Sequence, residues 1–215
     1  MIAKRRAWPI LARPFYARAT LDVARDLLGK VLVHRAPDGL TAGVIVEVEA
    51  YIGEDDPACH AAPGPTHRNA PLYGAPGHAY VYFNYGVHYL VNAVTERAGH
   101  PAAVLIRALD PLDGIPSMQA RRGRRRDGSA RGLHDLCRGP GNLARAMGIG
   151  PDLNRADLTR KGRGSSGLWI EDRGVAVPRA AWTPRIGIRV GADRPWRCIV
   201  AGHPALSGSG RSKIT

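Results

Sequence analysis

The stretch Val46-Glu-Val-Glu-Ala-Tyr51 carries two carboxylates and a phenol at alternate positions. Alternate residues of a strand share a face. Glu47, Glu49 and Tyr51 therefore project from one side, and Val46, Val48 and Ala50 from the other. Carboxylates on a solvent-facing sheet surface do no chemistry, but one set in a pocket beside an aromatic ring can act as a general base on water. The second concentration of useful side chains is AYVYFNYGVHYLVN, residues 79–92. It holds four of the chain's seven tyrosines, although aromatics make up only 6% of the sequence. Tyr80 and Tyr82 alternate with Val81 and Phe83, so one of these faces is core. Asn92 shares a face with His88 and Leu90 in an apolar stretch, where an amide needs a partner or a ligand. Tyr85 falls at the Asn84-Tyr85-Gly86 turn, where a ring has no core to fill. It either folds back on its own strands or serves as a wedge between stacked bases.

Charge selects the partner. Lys plus Arg number 31 and Asp plus Glu 18, a formal net charge of +13. That excess points to a polyanion, nucleic acid before an anionic membrane, because no basic amphipathic helix of useful length is present. Lysine occurs only at Lys4, Lys30, Lys161 and Lys213, so nearly all the positive charge is arginine. Arginine forks onto phosphate and cannot serve as an amine nucleophile. Cys59, Cys137 and Cys198 lie far apart with no CxxC pair, as expected of reduced thiols in a cytosolic or nucleoid setting. The apolar run near the start is too short for a signal peptide, and no stretch approaches the about 20 residues of a membrane span. A soluble intracellular protein is expected.

Two rival chemistries use the same residues. Glu47, Glu49, Asp55, Asp56 and His60 could gather a divalent metal for a nuclease, although they lack compact ligand spacing on one element. The hairpin rings could instead form a stacking platform in a noncatalytic nucleic-acid-binding module. Cys59, Trp169, Trp182 and Trp196 read as packing.

The positioning elements follow from periodicity. A chain of 215 residues supports one core, hence one domain over 1–215, with 1–14 and 207–215 expected to be flexible. TLDVARDLLG predicts a short helix with Thr20 as its cap and Gly29 as its stop. KVLVHR and GLTAGVIVEVEAY predict strands. Residues 52–78 are rich in proline and glycine and read as an ordered functional loop. The tyrosine run predicts a hairpin with strands at 79–83 and 87–94, and AAVLIRALDP a further strand. Residues 121–132 carry six arginines and predict a mobile basic loop. GPGNLARAMG predicts a helix closed by Gly148. GLWIEDRG, TPRIGIRVG and RPWRCIVAG predict strands. Alternating strands outnumber helices, so antiparallel pairing is expected.

VEVEAYIGEDDPACHA, RNAPLYGAPGHAYVYFNYGVHYLVN, VLIRALDPLDG, LCRGPGNLARAMGI and RIGIRV occur in this order. Together they resemble the alkyladenine (3-methylpurine, N-methylpurine) DNA glycosylase family of base-excision repair, from about Phe15 to Ser207. The resemblance implies a mixed α/β (α+β) single domain with a curved, mainly antiparallel sheet, short flanking helices and a protruding hairpin. It implies a partner, double-stranded DNA entered from the minor groove, from which an alkylated or deaminated purine is flipped. Glu49 would then activate water, with Arg107 holding the water and the target phosphate or sugar. Tyr51 would form one wall of the base pocket and His60 with Tyr82 the other. Asn92 would exclude the exocyclic amino group of guanine, and Tyr85 would intercalate. No cofactor, metal or membrane is implied, and a monomer suffices. Asn84, Val87 and the pair Leu72-Tyr73 depart from the family's usual residues, at the hairpin and in the loop before it.

Electron-rich rings stacked on a cationic base are worth about 0.5–2 kcal/mol each, and extrusion costs a few kcal/mol, less at a badly paired site. Strand cleavage by a glycosylase needs an amine to form a Schiff base, and no lysine lies in the matched motifs. Borohydride treatment during turnover is therefore expected to trap no protein–DNA adduct; a covalent band would contradict simple hydrolysis.

Overall fold

The longest strand organises the chain. In the computed structural model, which describes residues 7–84, 86–162 and 166–208, β2 (Gly39–Ile52) takes partners on both edges. On one edge its first half pairs with β1 (Val31–Ala36) and its second half, at Glu47–Glu49, with β8 (Arg197–Val200). On the other edge β5 (Ala102–Asp113) follows it from Ala42 to Ile52. The remaining strands are β3 (Ala79–Asn84), β4 (His88–Val94), β6 (Gly167–Glu171) and β7 (Ala180–Thr183). The sheet runs β3-β4-β5-β2-β1-β6, with β8 bridging β2 to β7, and every pairing is antiparallel. The antiparallel α+β architecture is the one expected.

Side-chain alternation sorts this sheet into a greasy face and a chemical face. Val48 and Ala50 of β2, Val104 and Ile106 of β5, Val91 and Ala93 of β4, and Ala79 and Val81 of β3 all enter one core cluster. Helices α2 (Thr20–Leu27) and α4 (Pro140–Met147) cover it with Val23, Ala24, Leu27, Leu143 and Met147. The intervening residues Glu47, Glu49, Tyr51, Arg107, Asn92, Tyr80 and Tyr82 face away from those helices. Ile45 would lie on the side of the glutamates under unbroken alternation along β2. It packs in the aliphatic cluster with Val46 instead, because the register slips between Ile45 and Glu47, where β2 pairs with Leu109 and then Ala108. A bulge of this kind flips the side-chain phase and bends the strand.

Other expectations are corrected. The cap of α2 is not Thr20. Ala19 occupies the cap position, and the Glu96 carboxylate accepts the Thr20 N–H at 3.2 Å and its hydroxyl at 2.5 Å. TPRIGIRVG is not a strand: β7 stops at Thr183 before Pro184, and Gly187 and Gly191 adopt φ of 76° and 63°, which break a pleat. The basic stretch is not all loop. Helix α3 (Ile115–Arg122), absent from the sequence expectation, claims Arg121 and Arg122. It starts at Gly114, φ 74°, where any Cβ would lie 2.2 Å from the Leu40 carbonyl oxygen. Among the described residues, Ile10 bridges to Glu171, short α1 spans Arg13–Tyr16, and Ser207 is buried. Trp169 is core, but Trp182 is exposed. No helix among the described residues is long and apolar enough to cross a membrane.

The corrected arginines separate in function. Arg122 is buried and donates to the Leu136 carbonyl at 2.9 Å, whereas Arg124, Arg125 and Arg126 are exposed. Arg122→Ala should lower stability by about 1–3 kcal/mol in urea unfolding, as the carbonyl loses its partner. Glutamine substituted at positions 124, 125 and 126 together should leave stability intact while weakening duplex DNA binding and flattening its salt dependence. An unchanged salt slope would mark the loop as idle.

Candidate active site

Two glutamates two residues apart on β2 are fully buried, and each is neutralised by donors from other strands. Glu47 Oε1 accepts from Arg107 Nε at 3.0 Å, from Arg197 Nε at 2.7 Å and from the Ser207 hydroxyl at 2.7 Å. Its Oε2 accepts the Ser207 backbone N–H at 2.6 Å. Glu49 Oε2 accepts from the Tyr51 hydroxyl at 2.8 Å and Arg107 Nη1 at 3.1 Å, and Oε1 from the Ile186 N–H at 2.7 Å. Arg107 on β5 thus bridges the pair, and its Nη2 also donates to the Ser207 hydroxyl at 3.1 Å. A guanidinium has five N–H groups, so three bonds fix the fork and two remain for an occupant of the neighbouring space.

That space is a cavity of about 300 Å3 lined by Tyr51, His60, Tyr82, Asn92 and Arg107, with Ile186–Ile188 on another side. It is within the range of small-molecule sites. Tyr82 and His60 stack edge-on, their centroids 4.4 Å apart. Tyr80 backs them, 2.9 Å from His60 Nδ1 through its hydroxyl. Asn92 is buried and donates its amide N–H to the Tyr80 carbonyl at 3.1 Å. Glu49 does not line the cavity. Tyr51 and Arg107, both bonded to its Oε2, do. Asn69 fixes the loop bearing His60 by donating to the His60 and Gly64 carbonyls at 2.7 and 2.9 Å.

Electrostatics keep the walls in defined protonation states. Burial, and then the Glu49 charge, push the Tyr51 phenol far above its usual range, so it remains a donor. Burial also raises Tyr82 and takes Tyr80 to about 12. Burial and the Arg68 cation lower His60, leaving a neutral imidazole at pH 7. Burial opposes the Arg107 charge, but Glu49 and Glu47 outweigh it and raise its pKa.

Six of the seven residues singled out from the sequence, Glu49, Arg107, Tyr51, His60, Tyr82 and Asn92, meet at this place. Tyr85 lies outside the described residues. Glu47 is not a surface carboxylate. The metal-cluster alternative loses its ligands: Glu47 is taken by Arg107 and Arg197, and Asp56 by Arg185 at 2.6 and 2.8 Å. Among the described residues no three His, Cys, Asp or Glu side chains converge to hold a metal. Sequence reasoning missed Arg185, Arg197 and Ser207. Only the excess of arginine in the last third hinted at them, because nothing local pairs an arginine with a glutamate 150 residues away.

A sequence model of the methylpurine-DNA glycosylase (MPG) family matches residues 14–204. A Methanocella arvoryzae protein with the provisional name 3-methyladenine DNA glycosylase is 48% identical over 202 residues, 93% of this chain and 96% of its own. Similarly named proteins of Burkholderia orbicola and Rubrobacter xylanophilus are 49% and 50% identical, covering 94% and 83% of this chain and 94% and 87% of theirs. With a family match across most of its length and relatives of this similarity, the chain belongs to the methylpurine-DNA glycosylase family, hydrolases that act on N-glycosyl bonds.

Proposed function

We propose that this chain, as a one-domain monomer, releases alkylated or deaminated purines from double-stranded DNA by hydrolysis and leaves an abasic site. The observation that carries the reading is the contact of Glu49 with both Tyr51 and Arg107 at the edge of a ring-walled cavity. The damaged nucleotide leaves the helix through the minor groove and its base enters between Tyr51 on one side and His60 with Tyr82 on the other. Tyr85 would fill the gap in the stack. The two free N–H groups of Arg107 hold the attacking water or the sugar-phosphate. Glu49 takes the proton of that water and stabilises the cationic sugar as the N-glycosidic bond breaks. In the free protein Glu49 Oε2 accepts two bonds and Oε1 one, which leaves acceptor capacity on Oε1 for the attacking water. Asn92, held by the Tyr80 carbonyl, presses on the position where guanine carries its 2-amino group. The net charge of +13 supports a phosphate-rich partner found with the chromosome inside the cell.

Incubation with duplexes carrying one hypoxanthine or one alkylated purine, followed by alkali, should reveal strand breaks at the lesion only. Glu49→Gln should reduce release by about 10²–10⁴-fold and retain duplex binding. A wild-type protein that binds without releasing base would be a noncatalytic module. Cleavage without alkali that stops with chelator would be a nuclease.

A further inference from the structure

Asp56 and Arg185 form a bidentate ion pair with neither side chain exposed. Neither lines the cavity, yet the pair borders three parts of its lining, the Tyr51 ring, the segment from Ile186 and the turn before His60. The Arg185 Cζ lies 4.7 Å from the centroid of the Tyr51 ring, and its Nη1 donates to the Ala50 carbonyl at 3.1 Å. The next residue, Ile186, donates its N–H to Glu49 and opens the cavity-lining segment. Asp56 Oδ1 accepts the Ala58 N–H at 3.2 Å and its carbonyl accepts the Cys59 N–H at 2.8 Å, which fixes the turn that delivers His60.

The ring of Tyr51 therefore meets a cation. A cation against a ring draws on the same π system that a stacked base would use. Its charge also reaches through the ring. A base stacked in contact on the cavity side lies roughly 8 Å from the Arg185 guanidinium, taking about 3.5 Å for the stacking distance. In a site shielded from water that separation is short enough for an unpaired cation to repel a second one.

The geometry points to Asp56 as a specificity-determining positioning residue. By neutralising Arg185 behind Tyr51, it lets the cavity accept positively charged purines, as ring-nitrogen alkylation produces, and not only neutral ones. This inference rests on the base-release reading above and assigns the substrate class that a residue outside the cavity controls.

The test compares single-turnover base release from duplexes with one 3-methyladenine, a cation without guanine's 2-amino group, and one hypoxanthine, neutral, in wild type, Asp56→Asn and the uncharged pair Asp56→Asn/Arg185→Met. In Asp56→Asn the ratio of cationic to neutral release should fall about tenfold. In the uncharged pair it should return to the wild-type ratio or above. Equal losses on both substrates in Asp56→Asn would assign Asp56 a structural role only and overturn the inference. A depressed ratio in the uncharged pair would do the same, and that variant decides the matter should Asp56→Asn fail to fold. Wild-type protein that releases neither base would refute the base-release reading itself.

Discussion

Burying Glu47 and Glu49 on adjacent same-face positions of one strand is the constraint from which the rest of the structure follows. Two carboxylates without water repel one another, and each alone would cost several kcal/mol to desolvate. The fold answers with arginines from distant parts of the chain. Counted with Asp56, three buried carboxylates meet three buried guanidiniums, Arg107, Arg185 and Arg197. Arg107 is shared by both glutamates and Glu47 by two arginines, so these members keep a partner when one is lost. Removing Arg185 would leave Asp56 charged and dry, a loss of about 3–5 kcal/mol. The cluster is thus both a structural tie and the source of a fixed, donor-rich wall.

That tie explains why the sheet has its particular order. Arg107 reaches Glu47 and Glu49 because β5 runs beside β2 through the whole register from Ala42 to Ile52. Arg197 reaches Glu47 because β8 pairs with Glu47–Glu49 on the opposite edge. The segment after β7 cannot continue as a strand, and its irregular backbone leaves the Ile186 N–H free to meet Glu49. The bulge at Val46 sets the phase that turns both glutamates away from the helices. Aromatic side chains then complete the site, since Tyr80 and Tyr82 on β3 already point to the same face as Asn92 on β4.

Much of this was legible in the chain. Alternation in VEVEAY put Glu49 and Tyr51 on one face of their strand, and in the tyrosine hairpin it grouped Tyr82 with Tyr80 and Asn92 with Leu90. The strands keep these groupings, and the family resemblance is what joined the two sets. Period-2 patterning is local and survives tertiary packing well. The misses are nonlocal or glycine-driven. The phase slip at Val46 has no signature in an unbroken aliphatic run. Helix α3 has a weak apolar stripe and starts at a glycine whose need comes from the carbonyl of Leu40, close in space but far back in the chain. The RIGIRV segment looks like a strand because its apolar residues alternate, but positive φ at Gly187 decides otherwise. The arginine partners are invisible to any window, since an ion pair between residues 47 and 197 has no period.

The central claim is that a purine occupies the cavity beside Glu49 with water between them. It is tested most directly by the crystal structure of Glu49→Gln bound to a duplex carrying one hypoxanthine. The account predicts the base out of the helix, stacked on Tyr51 and facing His60 and Tyr82, with an ordered water in hydrogen-bond range of the substituted side chain at position 49 and of Arg107. A base still stacked in the duplex, or lodged away from Tyr51 with position 49 dry and sealed, would contradict it.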